Sequence, residues 1–284
     1  MSHASPGEWR PTEIRRFIRN FDTGTEAVLV LTDAGEGYLK AMGNAGGEHC
    51  LACEWVATHL ARWFKLETFD FSLIDITDLD EIPLSRSGNA RPGPAFITRA
   101  EFGEPWGGKV SELKYLINPG DISRLVVFDT WILNCDRHAP EGRRRPNYNN
   151  VFLSREAPEG YLRLKAMDHT HAFTCGHDLT QRVATIDRIQ DPNAYGLFPG
   201  FRRRLDQDAF QSALDDLRGL PRPFVEEVIR SVPEEWEVGR EAREALSDFI
   251  VRRAHFLATN RAGIMGIHLN QGRLNLPAEG EAGP

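Results

Sequence analysis

Residues 124–138 read RLVVFDTWILNCDRH, and residues 164–173 read LKAMDHTHAF. In each stretch an apolar run delivers the chain to an aspartate with histidine close by: Asp136 in the first, Asp168 in the second. Apolar runs of this kind form buried elements, so the acid that follows sits at a fixed point and not on a free loop. What decides the fold is whether these two acids meet in space.

Working outward, DISRLVVFDTWIL (121–133) is apolar on most faces, which predicts a buried helix with Asp121 as its N-cap. NVFLSREAPEGYLRLKAMDH (150–169) reads as a hairpin with REAPEG as the turn. That hairpin would bring Asn150 close to Asp168, beside the loop that carries Asp136. Upstream, EAVLVLTDAGEGYLKAM (26–42) predicts two strands joined by a turn at TDAGEG, with Lys40 on the returning strand. Gly46 and Gly47 then break the chain before EHCLACEWVATHLARWF (48–64), where Leu51, Trp55, Leu60 and Phe64 follow helical spacing. Residues 69–99 contain two further strand candidates, FSLIDI and PAFITR, separated by LSRSGNARPG. Beyond about residue 184 the chain reads as largely helical. The expectation is an α+β fold of two lobes with a cleft between them: a strand-rich lobe over 1–100, a mainly helical lobe over 101–270, and a disordered tail over 271–284.

Composition sets the bounds. The 284 residues are 41% hydrophobic and 26% charged, ordinary values for a globular chain with a sizeable core. No apolar stretch reaches the roughly 18–20 residues a membrane-spanning helix needs, and the opening MSHASPGEWRPTEIRRF lacks the apolar core of a secretory signal. A cytoplasmic protein is expected, with Cys50, Cys53, Cys135 and Cys175 reduced. A net charge of −7 argues against general nucleic-acid binding.

Phosphoryl transfer from a nucleotide needs few parts: a cation on the phosphates, oxygen ligands for magnesium, and a carboxylate beside the attacking hydroxyl. Those parts stand here in order. Lys40 lies on a rigid strand, and Glu54 lies in the helix that follows, where it could pair with that lysine. Glu48 competes for the pairing, although an acid at a helix start also suits the helix dipole. Asp136, an asparagine before VFL, and Asp168 complete the set.

The run FDTWILNCDRH…NNVFL…LKAMDHTHAF resembles the catalytic segment of HipA-like kinases and, more distantly, that of phosphatidylinositol kinases, which share the protein-kinase-like fold. The resemblance implies a catalytic Asp136 and a magnesium site made by Asn150 and Asp168. It also implies that Lys40 is the phosphate lysine and Glu54 its partner, with ATP and Mg2+ as cofactors. Gly24 in DTGTE stands where a phosphate-covering turn belongs, and Arg99 at the end of PAFITR is a further nucleotide-binding candidate. The match is close over about residues 125–175 and looser before them.

This chain departs from the protein-kinase pattern in two places. Thirteen residues, RHAPEGRRRPNYN, separate Asp136 from Asn150, where a protein kinase has about four. The metal asparagine is thus open among Asn147, Asn149 and Asn150, with Asn150 favoured because it abuts VFL. The insertion also carries Arg143–Arg145, an exposed basic loop or a grip on an acidic or phosphorylated substrate. In addition, no G-x-G-x-x-G precedes Lys40. The predicted activity is transfer of the ATP γ-phosphate to a hydroxyl, most readily on protein Ser/Thr. The alternatives are a nucleotide-binding module without transfer, and a metal-dependent hydrolase built on the aspartates with His138, His169, His171 and His177. Structural zinc is disfavoured, since Cys50 and Cys53 have no second cysteine pair.

Overall fold

The computed structural model describes residues 9–140 and 145–260. Its N-terminal part is a five-stranded antiparallel sheet in the order β1-β2-β3-β5-β4, made by β1 (Ile14–Asn20), β2 (Val28–Thr32), β3 (Gly35–Lys40), β4 (Phe71–Ile76) and β5 (Gly93–Arg99). A single helix, α1 (Glu48–Trp63), links β3 to β4. Strands β2 to β5 lie where the sequence pattern puts them. Strand β1 escapes that pattern because register shifts after Ile14 and Phe17 break the alternation of inward and outward residues.

Period-2 alternation gives this sheet two buried faces. Val28, Val30, Leu39, Ile74, Ala95 and Ile97 point to one side, where Ile82, Leu84 and Ala90 of the β4–β5 connection cover them. Phe71 and Phe96 point to the other side and pack against Trp55 of α1 at ring centroid distances of 5.5 and 6.3 Å.

A second sheet follows directly: β6 (Gly103–Pro105), β7 (Val151–Ser154) and β8 (Arg163–Ala166), with β7 and β8 forming the expected hairpin in the register Val151↔Ala166. The remainder is mainly helical. It comprises α2 (Asp121–Ile132), the one-turn α3 (Cys135–His138), α4 (Ile186–Ile189), α5 (Gln207–Arg218), α6 (Arg222–Arg230) and α7 (Arg240–Thr259). Ten of the twelve residues of α2 are buried, as its apolar composition requires. Its cap residue is Gly120 and not Asp121, whose carboxylate accepts instead from Asn118 Nδ2 at 2.7 Å.

The two parts share one hydrophobic core. Phe64, just past α1, stacks on Phe128 of α2 with centroids 5.9 Å apart, and Trp63 meets Trp131 at 6.2 Å and Phe224 at 6.0 Å. Trp55 donates to Ser231 Oγ at 2.9 Å, and Trp236 donates to the Pro94 carbonyl at 2.9 Å. Among the described residues no helix is long and apolar enough to cross a membrane. The expected tail at 271–284, Arg143 and Arg144 lie outside the described residues.

Candidate active site

Lys40 lies one position past Leu39 on β3, so alternation turns it to the same sheet face as Phe96, its partner in the strand register. From there its ammonium donates to Glu54 Oε2 at 2.7 Å and to Asp168 Oδ1 at 2.9 Å. Glu54 is the seventh residue of α1, nearly two turns from its start at Glu48, and is almost fully buried. Its Oε2 also accepts from the His169 backbone N–H at 2.9 Å. Glu48, the competing acid, accepts from Gly43 N and Arg91 at the start of the helix. Strand β3, helix α1 and the distant segment that follows β8 are therefore joined at one ammonium.

The charges at this junction are strongly perturbed. Burial alone would lower the Lys40 pKa, but the carboxylates of Asp168 and then Glu54 outweigh it and hold the ammonium above the ordinary lysine value. Burial likewise opposes ionisation of Asp168, and Lys40 overcomes it, so this carboxyl stays well below the usual carboxylate range. Glu54 is pushed up by burial, with Lys40 pulling the other way.

Asp136 reaches the same cleft by a different route. Helix α2 ends at Leu133 in a left-handed turn (φ 50°), after which Asn134 leads into α3. Asp136 Oδ2 accepts from Asn150 Nδ2 at 2.8 Å and from Asn147 Nδ2 at 3.1 Å, and His171 Nδ1 lies 3.8 Å from Oδ1. Asn149 is exposed and also lines the cleft. With their amide nitrogens engaged by Asp136, Asn147 and Asn150 each keep a side-chain oxygen for a hard cation, the donor type magnesium prefers.

Two residues unassigned in the sequence reading hold this arrangement together. Arg137 is fully buried and donates to the Asn150 carbonyl at 3.0 Å and the Met167 carbonyl at 2.7 Å, and it pairs with Asp129 of α2. It thus ties the residue after Asp136 to the backbone beside Asn150 and Asp168. Asp129 had a signal of its own, a lone acid inside an apolar helix, since a buried charge must find a partner. Burial pushes the Asp129 carboxyl up to about 6 against the pull of Arg137. Gly196 passes so close to Asp129 that a Cβ there would stand 2.1 Å from Oδ2.

The cleft has a volume of about 690 Å³ and is lined by Lys40, Glu54, Asp136, Asn147, Asn150 and Asp168, and by the turn at Asp22–Thr25 that contains Gly24. Arg99 is not among the lining residues. Strand alternation puts Thr98 on the cleft face, and the exposed Arg99 lies 3.6 Å from Asp70 and 3.9 Å from Glu156. All four cysteines are free. Cys50 and Cys53 are core residues of α1, and burial pushes the Cys50 thiol up to about 12. Among the described residues no group of three or more His, Cys, Asp or Glu side chains is placed to hold a metal ion.

The family model for HipA-like kinases matches residues 14–259, which include every element and site residue just described. The chain belongs to the HipA-like kinase family. Its membership makes it a kinase-type phosphotransferase. Among solved structures, the chain is similar to the proinflammatory kinase CtkA of Helicobacter pylori, with a TM-score of 0.56 and 11% identity over 91% of this chain and 97% of that one. At that identity the likeness speaks for the fold alone. No curated protein matches the chain.

Proposed function

We propose that this HipA-like kinase transfers the γ-phosphate of magnesium-ATP to a hydroxyl on a protein serine or threonine, with the nucleotide held between the part before about residue 100 and the part after it. Lys40, braced by Glu54, orients the phosphates. Asn150 and Asp168 hold magnesium, with Asn147 the nearest substitute for the former. Bound there, the ion would neutralise charge that develops on the phosphate oxygens. Asp136 takes the proton of the acceptor hydroxyl as its oxygen bonds to the γ-phosphorus. The bond from that phosphorus to the bridging oxygen breaks, and ADP leaves with the electron pair.

The observation that carries this reading is the position of one ammonium within hydrogen-bond reach of both Glu54 and Asp168, in a cleft that Asp136 also lines. Such a constellation positions phosphates and a metal from rigid elements, which is most of what phosphoryl transfer requires. The donors present fit magnesium: oxygen atoms of an amide and of a carboxylate that stays ionised.

Incubation of the protein with γ-labelled and α-labelled ATP in a lysate tests the reaction. Label on protein from γ-ATP alone, lost when magnesium is chelated, is the expected result. Label from α-ATP would replace phosphoryl transfer with AMP transfer, and label from neither would leave a nucleotide-binding module.

A further inference from the structure

The covering turn at Asp22–Thr25 has only one glycine, and its geometry does not depend on that glycine. Gly24 has no left-handed φ, and a Cβ built on it would meet nothing within 4 Å. What holds the turn must lie elsewhere. We propose that Glu26 and Arg86 are positioning residues for the nucleotide, a clamp that fixes the covering turn from behind in place of a glycine-rich loop. The proposal rests on the reading of the cleft as a magnesium-ATP site.

Glu26 is fully buried directly after the turn, and its φ of 50° is in the left-handed region that non-glycine residues seldom occupy. Such a conformation persists where its surroundings over-determine it. Here its carboxylate accepts from Ala45 N at 2.7 Å, from Ser87 N at 2.9 Å, and from Arg86 N and Ser87 Oγ. Burial alone would raise its pKa, but these hydrogen bonds, that of Ser87 first, hold the carboxyl at about 2, so it stays charged. Arg86 then reaches over the turn itself. It donates to the Thr23 carbonyl at 2.6 Å and lies 3.5 Å from Asp22. Within the turn, Ala27 N donates to Thr23 Oγ1 at 3.0 Å, and Glu26 N donates to the Thr23 carbonyl at 3.1 Å.

The two sides of the turn therefore differ. Asp22, Thr23, Gly24 and Thr25 line the cleft, whereas Ala45, Arg86 and Ser87 do not. Residues that grip the turn from outside the cleft leave its inner face open to phosphates. They also remove in advance the ordering that a free loop would have to undergo on binding. Arg86 and Ser87 come from the β4–β5 connection, which covers the far face of the sheet with Ile82, Leu84 and Ala90, and Ala45 comes from the β3–α1 connection. The β4–β5 connection thus completes the core and reaches the cleft roof.

A clamp that preorganises a binding loop acts on nucleotide affinity more than on turnover. Steady-state kinetics of Arg86→Met and Glu26→Gln, with Lys40→Met as reference, separates the possibilities. Arg86→Met removes only the contacts to Thr23 and Asp22, so it should fold. Its KM for magnesium-ATP should rise about tenfold or more, while turnover at saturating nucleotide falls by less than about threefold. Glu26→Gln puts an amide donor among donors and should raise KM further; if it fails to fold, Arg86→Met decides alone. Arg86→Lys, which keeps a donor, should recover part of the affinity. Unchanged KM in Arg86→Met with Lys40→Met inactive would overturn the clamp but leave the ATP site standing. Full activity in Lys40→Met would overturn the reading of the site and the clamp with it.

Discussion

Lys40 is a strand lysine whose charge is held between two carboxylates, and this gives it a structural part besides the phosphate-orienting role proposed for it. Lys40→Met should abolish phosphate transfer. It also leaves Glu54 and Asp168 facing each other without a cation, and breaking a buried pair in this way costs about 3–5 kcal/mol. The lowered melting temperature should be largely restored in Lys40→Met/Glu54→Gln, while activity stays absent; a stable, active single mutant would contradict both roles. Glu26 gives a pH signature with a definite sign. Its folded pKa of about 2 lies below the ordinary value of 4.5, so its contribution to stability is complete above pH 4.5 and is lost as pH falls towards 2. Acid melting curves of Glu26→Gln should be flatter than wild type over that window. Of these residues, Lys40, Glu54 and Asp168 were legible as a set, because an ordered series of acid, amide and ammonium has few uses. Glu26 was not, because nothing local says that a carboxylate will be met by backbone N–H groups from residues 86 and 87.

Helix α2 sets the position of the segment that carries Asp136, and its buried partners show how. Phe128 lies 5.5 Å from the His169 ring and stacks on Phe64, so it connects the helix to the Asp168 segment as well as to α1. Phe128→Ala should cost about 3–5 kcal/mol and reduce transfer beyond what the loss of folded protein explains. Equal activity per folded molecule would separate the helix from the site. Gly196 is the second constraint on α2. Its φ of 71° and the 2.1 Å approach of a Cβ to Asp129 Oδ2 leave no room for Gly196→Ala, which should destabilise the protein and disturb the Arg137–Asp129 pair. The elements themselves were largely readable: the two hairpins, α1 and α2 all follow from apolar period and turn residues. The one-turn α3 under Asp136 was not, since a helix of four residues has no period to read. Nor was Arg99 separable from Thr98, because one step along a strand reverses the face and only the register decides it.

At the scale of the whole molecule, the shared core predicts cooperative unfolding. Phe64, Trp63 and Trp55 of the N-terminal part are packed into the helices of the C-terminal part, so neither sheet has a separate core of comparable size. Calorimetry should give one transition with equal calorimetric and van't Hoff enthalpies, and two resolved transitions would contradict a common core. This coupling was not legible in the sequence, where a strand-rich half and a helix-rich half look separable. The ring contacts of Trp63 and Phe64 with α2 and α6, the Trp55–Ser231 and Trp236–Pro94 hydrogen bonds and the Lys40–Asp168 pair join them, and all lie between residues distant in sequence. In the cleft the proposed mechanism gives the two acids different tasks: Asp168 would hold magnesium, and Asp136 would take the acceptor proton. The most direct test is to melt wild type, Asp136→Asn and Asp168→Asn with and without magnesium-ATP. A ligand at 100 times its Kd stabilises the native state by about 2.7 kcal/mol, which a melting curve resolves. Wild type and Asp136→Asn should shift upwards together, although turnover of the latter falls by about 10²- to 10⁴-fold, and Asp168→Asn should shift much less. Equal shifts in all three proteins, or full turnover in Asp136→Asn, would contradict the division of labour between the two acids.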